Sequence, residues 1–238
     1  MRILITNDDG YKASQLVPFI KWCARLGEVT VVVPKQEQSG KSHGIEIHKP
    51  FEAKQIELEP GINAWVVDST PADCVRFAIL GLHKKFDIVI SGINNGFNIG
   101  ADTLYSGTVA AASEANLLGV QAAAISTCPE NYENAINSLP DVLNFVLAKG
   151  LLGKCKLYNI NIPANPKGIL ITRQGGPYYS DTFNMVGNDM YLACGYPVWQ
   201  DRQDNSYDTD ATLHGYISIT PMTVDKTDTK VFEEIKTS

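Results

Sequence analysis

The chain has 238 residues, 44% hydrophobic and 19% charged, with a formal net charge of −6. That length buries a full core without staples, and the acidic balance excludes a protein built to grip a nucleic-acid backbone, which needs clustered Lys and Arg. No apolar run approaches the ~20 residues of a membrane span, the amino terminus enters a strand at once instead of a signal peptide, and five scattered cysteines without a C-x-x-C pair suit reduced thiols filling the core of a cytoplasmic protein.

Ile3-Leu4-Ile5-Thr6 reads as a buried first strand that stops at Asn7-Asp8-Asp9-Gly10. Two carboxylates therefore stand at the carboxyl end of a strand, the edge where open α/β sheets keep their ligands. Adjacent like charges disfavour each other's ionisation, and a divalent cation is the simplest remedy; the plainer alternative is one Asp capping the next helix while the other faces water. Ser14 then caps a helix with Leu16, Phe19, Ile20 and Cys23 on one face and Gly27 at its close. Val29-Thr30-Val31-Val32-Val33, stopped by Pro34, is the second strand. Strand, helix and strand make a right-handed parallel crossover, so both strands end on the same edge. The polar loop 35–44, containing Ser39, leaves from that edge.

Residues 44–67 read as short hairpin or edge strands, 45–48 and 64–67 among them. Ser69-Thr70-Pro71 opens a helix with a hydroxyl cap and an early Pro, and Val75, Ala78, Ile79 and Leu82 form its buried stripe. The next buried strand, 87–90, leads straight into 91–100, where three glycines and three asparagines favour a loop with positive φ. After a turn, Ser106-Gly107-Thr108-Val109 enters an alanine-rich helix ending near Gly119. Its first amides, at Gly107, Thr108 and Val109, have no intrahelical partners and suit a phosphate; alternatively Ser106 or Thr108 merely caps the helix. Residues 121–126 read as a strand, 132–149 as a helix broken or restarted at Pro140, and 157–163 and 168–172 as strands. The aperiodic stretch 175–205, rich in Tyr, Gly, Asn and Asp, reads as an extended arm or long hairpin of the kind that mediates self-association. A short helix at 208–213, a strand at 215–221 and an amphipathic tail complete the chain.

The loops bearing Asp8 and Asp9, Ser39 and Asn94 all leave the same sheet edge and offer only oxygen ligands. That is a hard site for Mg²⁺ or Mn²⁺, not zinc. His43 and His48 fall on opposite faces of a strand and are not paired ligands, and His83 and His214 read as helix-face or cap residues. With Asn98 and the Ser106 turn facing the cation, the site suits a phosphomonoester. The metal offsets phosphate charge and lowers the pKa of a water, with Asp8 or Asp9 as base; direct attack by an Asp is the competing route.

The ordered set Asn7-Asp8-Asp9-Gly10, Gln38-Ser39-Gly40, Thr70-Pro71-Ala72-Asp73-Cys74, Ser91-Gly92-Ile93-Asn94, Asn98-Ile99-Gly100, Tyr105-Ser106-Gly107-Thr108-Val109-Ala110-Ala111-Ala112 and Gly215-Tyr216-Ile217-Ser218-Ile219-Thr220-Pro221 resembles the stationary-phase survival protein SurE family of metal-dependent nucleoside monophosphate phosphatases. The resemblance implies one divalent metal per subunit on Asp8, Asp9, Ser39 and Asn94, with Asp8 and Asp9 catalytic and Asn98, Ser106, Gly107 and Thr108 holding the phosphate. It implies a Rossmann-like three-layer α/β/α fold with a mostly parallel central sheet, assembled into dimers or tetramers through the arm and the tail. It also implies 5'-nucleotidase activity, in some members extended to 3'-nucleotides or short polyphosphate. Asn95 and Phe97 stand where small residues or Pro are usual, and Ala101 replaces an acidic residue before Asp102. The chain divides into a core over 1–174, an arm over 175–207 and a terminal strand and tail over 208–238, within one domain. A receiver-like signalling module lacks its phospho-accepting Asp here, and a haloacid-dehalogenase-type enzyme wants Asp-x-Asp. A nucleotide- or phosphate-binding regulatory protein without turnover is the remaining alternative, separated by metal-dependent phosphate release.

Overall fold

The computed structural model describes residues 1–236. In chain order the elements are β1 (Arg2–Thr6), α1 (Leu16–Cys23), β2 (Glu28–Pro34), β3 (Ala53–Glu59), β4 (Ile62–Val67), α2 (Pro71–Arg76), β5 (Ile88–Asn95), α3 (Gly107–Leu117), β6 (Gln121–Thr127), α4 (Tyr132–Ala148), β7 (Leu157–Ile162), β8 (Ile169–Ile171), β9 (Tyr179–Gly187), β10 (Met190–Pro197), α5 (Asp208–Leu213), β11 (Ile217–Pro221) and α6 (Thr229–Lys236). Among these residues no helix is long and apolar enough to cross a membrane.

Strand periodicity builds three layers. Along β1, Ile3 and Ile5 point to one face and Leu4 to the other; along β2, Val31 and Val33 oppose Val32. One face buries Leu16, Phe19, Ile20 and Cys23 of α1 with Leu139, Val142 and Val146 of α4. The opposite face buries Cys74 and Val75 of α2 with Val109, Ala111, Ala112 and Ala115 of α3, against Ala122 and Ala124 of β6. Alanine facing alanine lets α3 lie close to the sheet, which holds its amino end at the carboxyl edge of the strands.

The sheet runs β3-β4-β2-β1-β5-β6-β7-β11-β8. It is parallel from β4 to β7, with antiparallel pairing only at β3–β4 and β7–β11. From β1 the chain moves outward through β2 and β4, then returns to lay β5 on the other side of β1. The carboxyl ends of β1 and β5 therefore flank the topological switch point, where such sheets open a crevice.

Several local expectations are corrected. Gln15, not Ser14, precedes the first turn of α1, without a side-chain cap. Gly27 sits against the backbone of Met1, where a Cβ has no room, and does not close the helix through a left-handed turn. Residues 45–48 form no strand, whereas β3 pairs with β4 as a hairpin. Helix α4 passes through Pro140 unbroken, because Leu139 and Val142 are buried on either side and outweigh one missing backbone bond. The expected arm is the hairpin β9–β10, which among the described residues pairs with no other strand. All five cysteines are free, but only Cys23 and Cys74 are buried core fillers.

Candidate metal and phosphate site

Asn7 closes the turn after β1 by accepting from the Gly10 amide at 3.2 Å and donating to the Gly10 carbonyl at 3.0 Å. This leaves the two carboxylates in different settings. Asp8 is buried, and the Thr108 hydroxyl donates to its Oδ1. Asp9 is more open; its Oδ2 accepts from Gln15 Nε2 at 2.6 Å and from the Asn95 amide at 3.3 Å. Burial holds the Asp8 carboxyl above the ordinary carboxylate range, and burial followed by the charge of Asp8 pushes Asp9 up to about 7.

The Asp8–Thr108 bond brings the turn after β1 and the start of α3 together. At Gly107 a Cβ would stand 3.0 Å from Asp8 Cβ and 3.2 Å from Asp8 Oδ2, so the glycine permits that approach. Ser106 is the cap of α3, its Oγ accepting from the Val109 amide at 3.1 Å. That corrects the expectation of three free amides: Val109 is already satisfied, and Gly107 and Thr108 are the ones left to an anion.

Asn94 stands between two residues tied to Asp9. Gln15 Nε2 bridges Asp9 and the Ile93 carbonyl at 3.0 Å, and the Asn95 amide reaches Asp9 directly. Asn94 Nδ2 donates to the Gly96 carbonyl at 2.8 Å, so Oδ1 is the atom of this side chain that could serve a cation. Asn94 lies on β5, not in a free loop: pairing with β6 resumes at Asn94–Ser126 after an irregularity beyond Ser91, and Gly92, Gly96 and Gly100 supply the expected positive φ. Loop 35–44 is moored by Gln38, whose amide donates to the Asp8 carbonyl at 2.8 Å, and by Ser42, bonded to the Leu104 and Tyr105 carbonyls. Ser39 follows Gln38 but is exposed, and its hydroxyl donates to Glu37 at 2.8 Å. Asn98 is buried, with Nδ2 donating to Ser126 Oγ at 2.8 Å and its second amide hydrogen left over.

His43 is not a metal ligand partner of His48. It meets the buried Glu114 carboxylate at 2.8 Å, which also receives Arg76. Two contributors to the acid pair's surroundings had no motif to reveal them. Glu37 adds a third negative charge that raises both carboxyls, and Gln15 orients Asp9. Asp9 and Glu37 share a cleft of about 350 Å³ with Lys12 and Lys35, and Ser106 borders a larger cavity of about 630 Å³.

The donor set fits a hard divalent ion. Among the described residues no Lys, Arg or His forms an ion pair with Asp8 or Asp9. Nor do three His, Cys, Asp or Glu side chains converge as a metal cluster, which leaves a cation to draw on neutral oxygens beside the acid pair.

Residues 3–181 match the family model described as survival protein SurE. The chain is 38% identical to a protein named 5'-nucleotidase SurE from Thermoanaerobacter sp., over 96% of this chain and 94% of that one. It is equally identical to the protein of the same name from Pelotomaculum thermopropionicum, over 99% and 94%. A crystal structure of the SurE protein from Aquifex aeolicus superposes with a TM-score of 0.80 at 33% identity, covering 100% of this chain and 99% of that one.

Proposed function

Since this chain belongs to the survival protein SurE family, we propose its chemistry from the site upward: it is a metal-dependent 5'-nucleotidase that hydrolyses nucleoside monophosphates to nucleoside and phosphate. The observation that carries the reading is the hydrogen bond from Thr108, in the phosphate turn, to Asp8, in the metal pair.

Asp8, Asp9, Ser39 Oγ and Asn94 Oδ1 would hold one cation, Mg²⁺ or Mn²⁺, both suited to an oxygen-only donor set. When bound it supplies Lewis acidity to the phosphoryl group and lowers the pKa of a water. The Gly107 and Thr108 amides at the start of α3 and the spare amide hydrogen of Asn98 hold the phosphoryl oxygens, and the Ser106 hydroxyl keeps its proton to donate while its oxygen caps the helix. Asp9, the more exposed carboxylate, takes the proton from the attacking water, and Gln15 keeps it oriented. Asp8, buried and bonded to Thr108, is a poorer nucleophile, which favours the water route over a phospho-aspartate.

The grip is on the phosphoryl group, so 3'-nucleotides and the ends of short polyphosphates are secondary substrates. The exposed Phe183, Met185, Val186, Tyr191 and Leu192 of the hairpin support assembly into a homodimer or homotetramer. The core over 1–174, the arm over 175–207 and the terminal segment over 208–238 act as one domain. The net charge and the free thiols support a cytoplasmic site of action with no nucleic-acid polymer or membrane as partner. A binding protein without turnover finds no support in relatives named as nucleotidases. Release of inorganic phosphate from a nucleoside 5'-monophosphate, measured with Mn²⁺, with Mg²⁺ and with EDTA, tests the proposal. Release unaffected by EDTA would overturn the metal assignment, and none under any condition would overturn the activity.

A further inference from the structure

Asn159 and Asn161 lie two apart on β7 and are both fully buried. By strand alternation they share the face of Leu157, which packs with α3. A carboxamide buried there is costly unless its bonds are made, and the bonds it makes here converge on one residue. Asn159 Nδ2 donates to the Asn98 carbonyl at 2.7 Å and Asn161 Nδ2 to the same oxygen at 3.0 Å, while the Asn98 amide donates to Asn161 Oδ1 at 2.9 Å. Asn159 Oδ1 stays buried without a partner, a cost carried for the sake of the donor beside it. Both backbone groups of Asn98 are therefore held from β7, and Ser126 on β6 takes one of its side-chain hydrogens.

We infer that Asn159 and Asn161 are positioning residues that fix Asn98, and so set the direction of the amide hydrogen it offers to the substrate's phosphoryl group. Asn98 needs such a clamp. It sits in a segment whose glycines at 92, 96 and 100 all adopt positive φ, and a donor must keep its geometry to within about half an ångström to serve a reaction. The inference rests on reading Asn98 as a phosphate-holding residue.

Asn159→Leu and Asn161→Leu keep the branched shape, with methyls larger than the amide atoms they replace, and suit an apolar strand. Asn161→Leu removes two of the three bonds to Asn98, and is expected to raise the inhibition constant of inorganic phosphate and the KM together by about tenfold. Asn159→Leu removes one bond and the unpaired oxygen, and is expected to raise both by about threefold with an unchanged melting temperature. In both variants kcat and the half-saturating Mn²⁺ concentration stay near those of the parent, since Asp8, Asp9 and Asn94 are not touched. Asn159→Leu keeps the test open if Asn161→Leu does not fold. An unchanged phosphate constant in the Leu variants, with a weakened one in Asn98→Ala, overturns the clamp and leaves Asn98 in its role. An unchanged constant in Asn98→Ala overturns that role as well. A Mn²⁺ requirement that moves in step with phosphate also overturns the clamp, because it marks general loosening of the site.

Discussion

Replacing Asp8 by Asn removes one of two adjacent carboxylates while keeping its shape, and the expected product is an inactive chain that is more stable than its parent without metal. The new carboxamide oxygen still accepts the Thr108 hydroxyl that Asp8 Oδ1 accepts now. In the parent, burial and then Asp8 carry the Asp9 carboxyl from 3.8 to about 7. Such a displacement costs at most about 4 kcal/mol at pH 8, less to the extent that Asp9 still meets water. A raised carboxyl keeps its proton in the folded chain where the unfolded chain has lost it, so metal-free stability falls as pH climbs from about 4 to about 7 and levels off above. Asp8 is displaced in the same direction by its own burial. Removing it deletes that penalty and the repulsion felt by Asp9, a gain in stability at pH 8 that vanishes at low pH, where both carboxyls are protonated. Urea unfolding in EDTA at pH 4 and pH 8 measures the difference. Saturating Mn²⁺ should then stabilise the parent by about 2.7 kcal/mol at a hundred times its Kd and the variant hardly at all, with phosphate release lost. A variant less stable than the parent by over about 1 kcal/mol at pH 8 in EDTA, or one that keeps turnover, would refute the reasoning.

Gly107→Ala sets a methyl 3.0 Å from Asp8 Cβ and 3.2 Å from Pro71 Cγ. The gain in helix propensity, up to about 1 kcal/mol, roughly offsets the crowding, so thermal melts should shift little while phosphate release drops over tenfold. Gln15→Leu loses the 2.6 Å bond to Asp9 and the 3.0 Å bond to the Ile93 carbonyl. It should cost about 1–2 kcal/mol in urea unfolding, and a titration of activity against Mn²⁺ should show the half-saturating concentration raised. Because β9 and β10 pair only with each other, replacing 182–194 by a two-residue turn should leave the melting of the core unchanged and reduce the assembly size seen by light scattering; an unaltered size would remove the hairpin from the interface.

The acid pair and the start of α3 are legible along the chain because each follows a local rule. An apolar strand that breaks at Asn7-Asp8-Asp9-Gly10 reports a sheet edge, and Ser106 before an alanine run reports a helix start. Two features mislead for want of long-range information. Pro140 looks like a break until Leu139 and Val142 are seen buried beside it. Residues 45–48 alternate like a strand but find no partner, since β3 and β4 pair with each other. Asn159 and Asn161 lie inside a strand the sequence predicts, but nothing nearby in sequence says that Asn98 is their partner.

What the sequence determined by itself, then, is the period of each strand, the residues at its carboxyl end and hence the oxygen chemistry available, because side-chain alternation and capping depend on neighbours a few positions away. Which of those oxygens are free was decided only by tertiary structure. Thr108 spends its hydroxyl on Asp8, and Asn98 is held by β6 and β7, through hydrogen bonds whose partners are brought within reach by the packing of α3 and the order of the strands.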